Sequence, residues 1–152
     1  GRNSGYLALM GGILGGAEIV ITPEEEISME DVAKELEDAY IRGKAHAIAI
    51  IAEGASYKIT ELAEFLKNQE VGFQIRLTIL GHTQRGGSPT AFDRLLATRM
   101  GVEAVRRLMA GESGVMIGRT GRGQVTVPLE DVTSKTREIT QEYFDLARIL
   151  SR

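Results

Sequence analysis

Apolar positions recur along this chain with two periods, near 3.6 and near 2, and their alternation sets the expected element order. Ser4 to Leu14, rich in Leu, Ala and Met, reads as a helix ended by Gly15 and Gly16. Gly11 and Gly12 lower the helix propensity inside it, and close packing against a neighbouring element would explain them. Glu18 to Thr22 reads as a short strand centred on Ile19, Val20 and Ile21, closed by Pro23. Ser28 with Asp31 resembles a capping box, after which Val32, Leu36, Ala39 and Tyr40 share one helical face. Gly43 supplies the stop, and Arg42 and Lys44 oppose the negative end of the dipole. His46 to Ala52, apolar from Ala47 onward, has the continuous character of a parallel strand covered on both faces. Ile59 to Asn68 is a second amphipathic helix with Ile59, Leu62, Phe65 and Leu66 as its core face. Phe73 to Leu80 reads as a third strand, interrupted by Arg76. A helical pattern from Thr90 to Met109 carries Leu95, Leu96, Val102, Val105, Leu108 and Met109. Val115 to Ile117 and Gln124 to Val127 form a glycine-rich hairpin, and Pro128 to Val132 starts a short helical turn. Thr140 to Leu150 is a last amphipathic helix with Tyr143, Leu146, Ala147 and Leu150 toward the body. This order implies an α/β fold, layered, with a mostly parallel sheet and flanking helices.

Composition narrows the class. A chain of 152 residues, 43% hydrophobic, suits one globular domain. With no cysteine, disulfides and thiolate metal sites are excluded, which fits a reducing cytoplasm. No apolar run is long enough to span a bilayer, and the N-terminus lacks a signal-peptide pattern, so a cytoplasmic location without membrane contact is expected. A net charge of −3 with interspersed signs argues against a nucleic-acid partner. Any anion site must be a local cluster of positive charge.

One such cluster lies between Gly81 and Arg94, where the third strand meets the following helix. The joint holds His82, Thr83, Gln84, Arg85, Gly86 and Gly87, with Ser88 suited to the N-cap and Pro89 to the first helical position. Glycines let backbone N–H groups turn toward a ligand, and a helix N-terminus attracts anions. Two readings fit: a phosphate site, or a tight connection with an exposed arginine. Glu53, at the end of the second strand, stands where α/β sheets place ligands, and it also fits a solvated strand end. A charge within a strand is rarely buried unpaired, and Arg76 reads as facing solvent at a sheet edge. Arg119 and Arg122 in the hairpin are a weaker anion candidate.

The run Gly81 to Pro89, followed by Phe92, Asp93 and Arg94, closely resembles the substrate loop of 6-phosphofructokinases. Gly1 to Leu9 looks like that family's Met-Gly-Arg segment without its first methionine. The similarity runs over nearly the whole chain, is weakest after about Gly118, and is to the C-terminal half of a bacterial-type subunit. The resemblance implies phosphoryl transfer from ATP or pyrophosphate, with Mg²⁺, to the 1-hydroxyl of fructose 6-phosphate in glycolysis. It implies that Gly1, Arg2, Glu53, Arg76, His82, Thr83, Gln84 and Arg85 bind the substrate, with Arg2 the one catalytic candidate. Arg76 would reach a neighbouring subunit's site, which makes a homo-oligomer, a tetramer in the family, the expected state. Gly16, Ala17, Glu18, Arg42, Lys44, Ala45 and His46 would line a nucleotide effector site, Glu18 holding the effector's Mg²⁺. The nucleotide loop, the metal-binding aspartate and the catalytic base belong to the family's N-terminal half, which this sequence does not contain. Activity of the chain alone is therefore not expected. The alternatives are a non-catalytic module that binds sugar phosphate or nucleotide, and an unrelated α/β protein with a phosphate loop.

Overall fold

A computed structural model describes residues 3–69, 71–121, 123–134 and 138–151. In chain order they form α1 (Tyr6–Gly15), β1 (Ile19–Ile21), α2 (Met29–Ile41), β2 (Ala49–Ile51) and α3 (Ile59–Lys67). A turn of 3₁₀ helix at Gly81–Arg85 precedes α4 (Ala91–Met109), β3 (Val115–Thr120), β4 (Gly123–Pro128), α5 (Leu129–Ser134) and α6 (Gln141–Leu150). The class is α/β, as the alternating pattern implies. The chain divides into two compact units, residues 1–79 with 139–152, and residues 80–138. Among the described residues no helix is long and apolar enough to cross a membrane.

The first unit is built on a parallel pair, with Ile19, Val20 and Ile21 of β1 opposite Ala49, Ile50 and Ile51 of β2. Ile19 and Ile21 point into a core completed by Val32 and Leu36 of α2, Leu62 and Leu66 of α3, and Val71. The strand period of 2 thus meets two helical stripes. Ser28 caps α2 by accepting the Asp31 N–H at 3.1 Å, and its hydroxyl donates to the Asp31 carboxylate at 2.6 Å. Gly12 explains itself: a Cβ there would lie 2.3 Å from Val20 Cγ2, so only glycine lets α1 approach β1. Gly11 has open space around it. Gly16 ends α1 at φ +66°, a left-handed cap that side chains disfavour.

Several expectations change. Phe73 to Leu80 forms no ladder among the described residues. Phe73 and Ile75 rest on the core and Tyr40 meets Phe73 edge-on at 5.4 Å, but every residue from Arg76 to Leu80 is exposed. An apolar run becomes a strand only with a partner edge, and the charge at Arg76 ends the half-buried alternation here. Tyr40 accordingly leaves the core face assigned to α2 and is 52% exposed. In α3, Ala63 joins Leu62 and Leu66 inside, while Ile59 and Phe65 are half-buried. The buried face of α6 is also rotated from the expected one. Phe144 is buried and Ala147 half-buried, whereas Tyr143, Leu146 and Leu150 are exposed. The stripe at Phe144, Ala147 and Ser151 is the one turned inward, with α6 packed on α1.

In the second unit, α4 starts later than expected. Thr90, not Ser88, is the N-cap, and Pro89 stays outside the helix. Thr90 Oγ1 accepts the Asp93 N–H while Asp93 accepts the Thr90 N–H at 2.8 Å, a reciprocal box that Ser88 has no matching acid to form. No residue of α4 is buried, so the apolar positions assigned to it are largely open. Its least exposed row is Leu96, Met100, Glu103 and Arg107. The hairpin β3–β4 is longer than expected, pairing Val115 with Pro128 through to Thr120 with Gly123.

Candidate functional site

The first unit brings two parts of the expected effector set into direct contact. The turn after α2 is closed by the Lys44 N–H on the Ala39 carbonyl at 3.1 Å, with Gly43 at φ +83°. That turn aims the Lys44 ammonium at Glu18 Oε1, 3.2 Å away. Glu18 is itself fixed to Ile48, just before β2: its N–H donates to the Ile48 carbonyl at 3.0 Å, and its Oε2 accepts the Ile48 N–H at 2.6 Å. Burial opposes the charge on Glu18, but the Ile48 N–H and the Lys44 ammonium outweigh it and hold the carboxyl below its ordinary value. Ala17 is buried beside it, while Gly16, Arg42, Ala45 and His46 lie exposed around the same junction. The arrangement offers cations to an anionic ligand.

Where the effector's Mg²⁺ was expected, Glu18 already meets a cation, the Lys44 ammonium. Both carboxylate oxygens already accept hydrogen bonds, and among the described residues no three His, Cys, Asp or Glu groups gather for a metal. Each oxygen keeps a further lone pair, so a metal ion there would share the carboxylate with the Lys44 ammonium and the Ile48 N–H.

The residues expected to grip a sugar phosphate are distributed along the chain. Glu53 is exposed just beyond the C-terminal end of β2, after Ala52, whose N–H bonds the Ile21 carbonyl at 2.9 Å. Arg76 is exposed in the unpaired segment of the same unit. His82, Thr83, Gln84 and Arg85 belong to the second unit and are all exposed. They sit in a 3₁₀ turn held by the Thr83 N–H on the Leu80 carbonyl at 3.2 Å and the Gly86 N–H on the Thr83 carbonyl at 3.4 Å. Gly86 needs to be glycine for its φ of +88°. Gly87 has neither a positive φ nor any atom within 4 Å of the place its Cβ would take. Its missing side chain serves no packing among the described residues, and close approach of a ligand to the backbone would account for it. Gly1 and Arg2, and Arg122 of the hairpin, lie outside the described residues.

Sequence reasoning missed the contribution of α6. The Ser151 carbonyl accepts a second hydrogen bond from Lys44 Nζ at 3.1 Å across 107 positions of sequence, a separation that no local pattern reveals. Arg148 pairs with Glu25 and with Asp145, the latter at 3.0 Å. Glu24 accepts the Gly5 N–H at the start of α1. The acidic run Glu24, Glu25 and Glu26 after Pro23 is thus partly structural. A cleft of about 130 Å³ is lined by Glu18, Glu35, Phe144, Arg148 and Ser151 among others. Burial, with the Asp31 carboxylate nearby, pushes the Glu35 carboxyl up, while Arg42 opposes the rise.

Known proteins match this chain along most of its length. A family model described as Phosphofructokinase matches residues 1–108. The ATP-dependent 6-phosphofructokinase of Thermotoga neapolitana is 45% identical over 99% of this chain and 47% of its own length. That of Halothermothrix orenii is 41% identical over 99% of this chain and 48% of its own length. The chain therefore spans about half the length of the curated relatives it matches, and corresponds to a C-terminal part of them. Among solved structures, Pichia pastoris phosphofructokinase in the T-state superposes with a TM-score of 0.74 at 35% identity, covering 88% of this chain and 16% of that one. A pyrophosphate-dependent phosphofructokinase from Marinobacter aquaeolei reaches the same TM-score of 0.74 at 22% identity over 99% of this chain and 45% of its own, a likeness of fold alone.

Proposed function

This chain belongs to the phosphofructokinase family, and from that premise we propose that its protein phosphorylates the 1-hydroxyl of fructose 6-phosphate, giving fructose 1,6-bisphosphate. ATP with Mg²⁺ is the proposed donor, in keeping with relatives named ATP-dependent. This chain supplies the sugar-phosphate grip. The observation that carries the reading is the loop at Gly86 and Gly87, where a glycine with no conformational or packing need stands beside the exposed Arg85 and His82.

Phosphoryl transfer asks the protein mainly for positioning and charge stabilisation. Arg85 and Arg76 present planar forks that match phosphate oxygens, and His82 adds a ring donor. Thr83 and Gln84 offer neutral donors and acceptors in the same turn as His82 and Arg85, and Glu53 can only accept, which suits sugar hydroxyls. Gly1 and Arg2 are proposed to complete the grip. Arg76 is proposed to serve a neighbouring copy, and the exposure of Leu77 and Ile79 beside it supports a homo-oligomer. The Glu18–Lys44 junction, with Gly16, Ala17, Arg42, Ala45 and His46, is proposed to take a nucleotide effector through its phosphates. A glycolytic role implies a cytoplasmic location. Among the described residues no group is assigned as the catalytic base, and the 152-residue chain alone should show no turnover with ATP and fructose 6-phosphate.

The test is made in the protein that contains this chain with its nucleotide-binding part. A hydrogen bond to a charged group contributes roughly 1.5–3 kcal/mol. Arg85→Ala or Arg76→Ala should raise the KM for fructose 6-phosphate about ten- to a hundredfold while leaving that for ATP nearly unchanged. Glu53→Gln should weaken sugar selection and spare binding of inorganic phosphate. Unchanged KM values in both arginine variants would reduce the Gly81–Arg94 stretch to a structural turn.

A further inference from the structure

An ammonium has three N–H bonds to give, and Lys44 directs two of them to partners far apart in sequence, Glu18 Oε1 at 3.2 Å and the Ser151 carbonyl at 3.1 Å. Ser151 is the residue that caps the C-terminal end of α6. The last carbonyls of a helix have no partner within it, and they form the negative end of its dipole. Lys44 therefore closes the end of α6 from outside. Other anchors of α6 among the described residues include the buried Phe144, the half-buried Ala147 and the Arg148 pair with Glu25.

The two acceptors of Lys44 are unequal. Glu18 is charged, and its carboxylate is also fastened to the Ile48 N–H at 2.6 Å. The Ser151 carbonyl is neutral, and hydrogen bonds between neutral and ionised groups are weaker than those between two ions. An incoming phosphate competes for Lys44 as an anion. The bond it displaces first is the one to the neutral carbonyl, because giving up Glu18 would leave a half-buried carboxylate without its cation.

We propose that Lys44 is a shared donor, and that a phosphate-bearing ligand bound at the turn around Arg42 to His46 takes it from the Ser151 carbonyl and loosens the end of α6. This rests on the effector reading of Glu18 and Lys44 and adds a mechanism of regulation to it. By reciprocity, whatever frees the end of α6 also frees Lys44 and tightens the ligand by the same factor.

The probe is ADP, followed in the protein by calorimetry and by amide hydrogen exchange in peptides covering α6. ADP should raise exchange over residues 147–151 several-fold. Lys44→Met should raise that exchange without ADP and abolish the response to it. A chain ending in the Leu150 amide has no Ser151 carbonyl and no new carboxylate to hold Lys44, and should bind ADP about three- to tenfold more tightly, the value of one modest hydrogen bond. Arg148→Gln, which leaves Lys44 intact but frees α6 from Glu25, should shift affinity in the same direction. The coupling is refuted, and the effector reading kept, if ADP binding needs Lys44 yet neither α6 variant tightens it and exchange in α6 does not respond. No ADP binding by the unaltered protein removes the effector reading and the coupling with it.

Discussion

The two units of the chain use similar elements with opposite results. In the first, Ile19, Ile21 and Val32 are exposed by 2%, 1% and 0%. In the second, no described residue is buried, and Leu108 and Met109 of α4 stand 69% and 83% exposed. Both α2 and α4 are capped by a hydroxyl residue with an aspartate three positions later. Local chemistry starts both helices equally well. What differs is whether a helix's apolar stripe finds another element, since most helical stability comes from packing that stripe. The first unit stacks two stripes on a strand pair. The second has a long helix and a hairpin, with apolar surface left over.

The largest expected effect separates the units directly. Leu36, 4% exposed, sits in the first core, and Leu36→Ala should cost about 2–5 kcal/mol in urea unfolding. Leu108→Ala should change stability by less than about 0.5 kcal/mol, as at other open positions. An equal loss in both variants would mean that Leu108 is covered in solution, and light scattering would then show whether another copy covers it.

A second comparison lies within α1. Gly12→Ala places a methyl against Val20 and should destabilise by about 1–3 kcal/mol. Gly11→Ala meets nothing and should stabilise by about 0.5–1 kcal/mol through helix propensity. Thermal unfolding should therefore move in opposite directions for neighbouring residues. The same direction for both would remove the account of Gly12 as a packing contact.

Much of this was legible in the sequence, and the parts that were not share a cause. The α2 cap, the β1 and β2 strands and the Gly43 stop follow from patterns within a few residues. The Gly81–Arg94 stretch was recognisable for the same reason. The failures at Phe73 to Leu80 and along α4 concern partners: alternation and periodicity say that a face is apolar, not what covers it. The face of α6 was misassigned because Tyr143, Leu146 and Leu150 are as apolar as the stripe that turned inward. The link from Lys44 to Ser151 could not be read at all, because nothing near either residue in the sequence refers to the other.

Acid gives a further way to separate effects inside the first unit. The Glu18 carboxyl is held below its unfolded value once the Ile48 and Lys44 bonds outweigh burial, so its contribution is full above the unfolded pKa and is lost as pH falls through the folded one. Glu35 works the other way. Burial raises its pKa, so the folded state takes up that proton more readily and gains stability as pH falls through the raised value. Glu18→Gln should therefore flatten the acid-side loss of stability, and Glu35→Gln should steepen it. Identical pH profiles for the two variants would contradict both assignments.

The smallest effects are at the caps, where the two units are most alike. Ser28→Ala removes the acceptor for the Asp31 N–H and should cost about 1 kcal/mol of the first unit's stability. It should be visible in global unfolding, because α2 is part of the buried core. Thr90→Ala removes the equivalent acceptor for the Asp93 N–H, but the helix it starts has no buried face. Its loss should appear as faster hydrogen exchange over the first turn of α4, with little change in the unfolding midpoint. Asp93 adds a pH signature. The Thr90 hydroxyl and N–H hold its carboxyl below the ordinary value. Protection of the first turn should persist down to that lowered value and fade as pH falls through it, whereas in Thr90→Ala it should fade earlier. If Thr90→Ala instead lowered the unfolding midpoint as much as Ser28→Ala, α4 would be as firmly packed as α2, and the contrast between the units would not survive in solution.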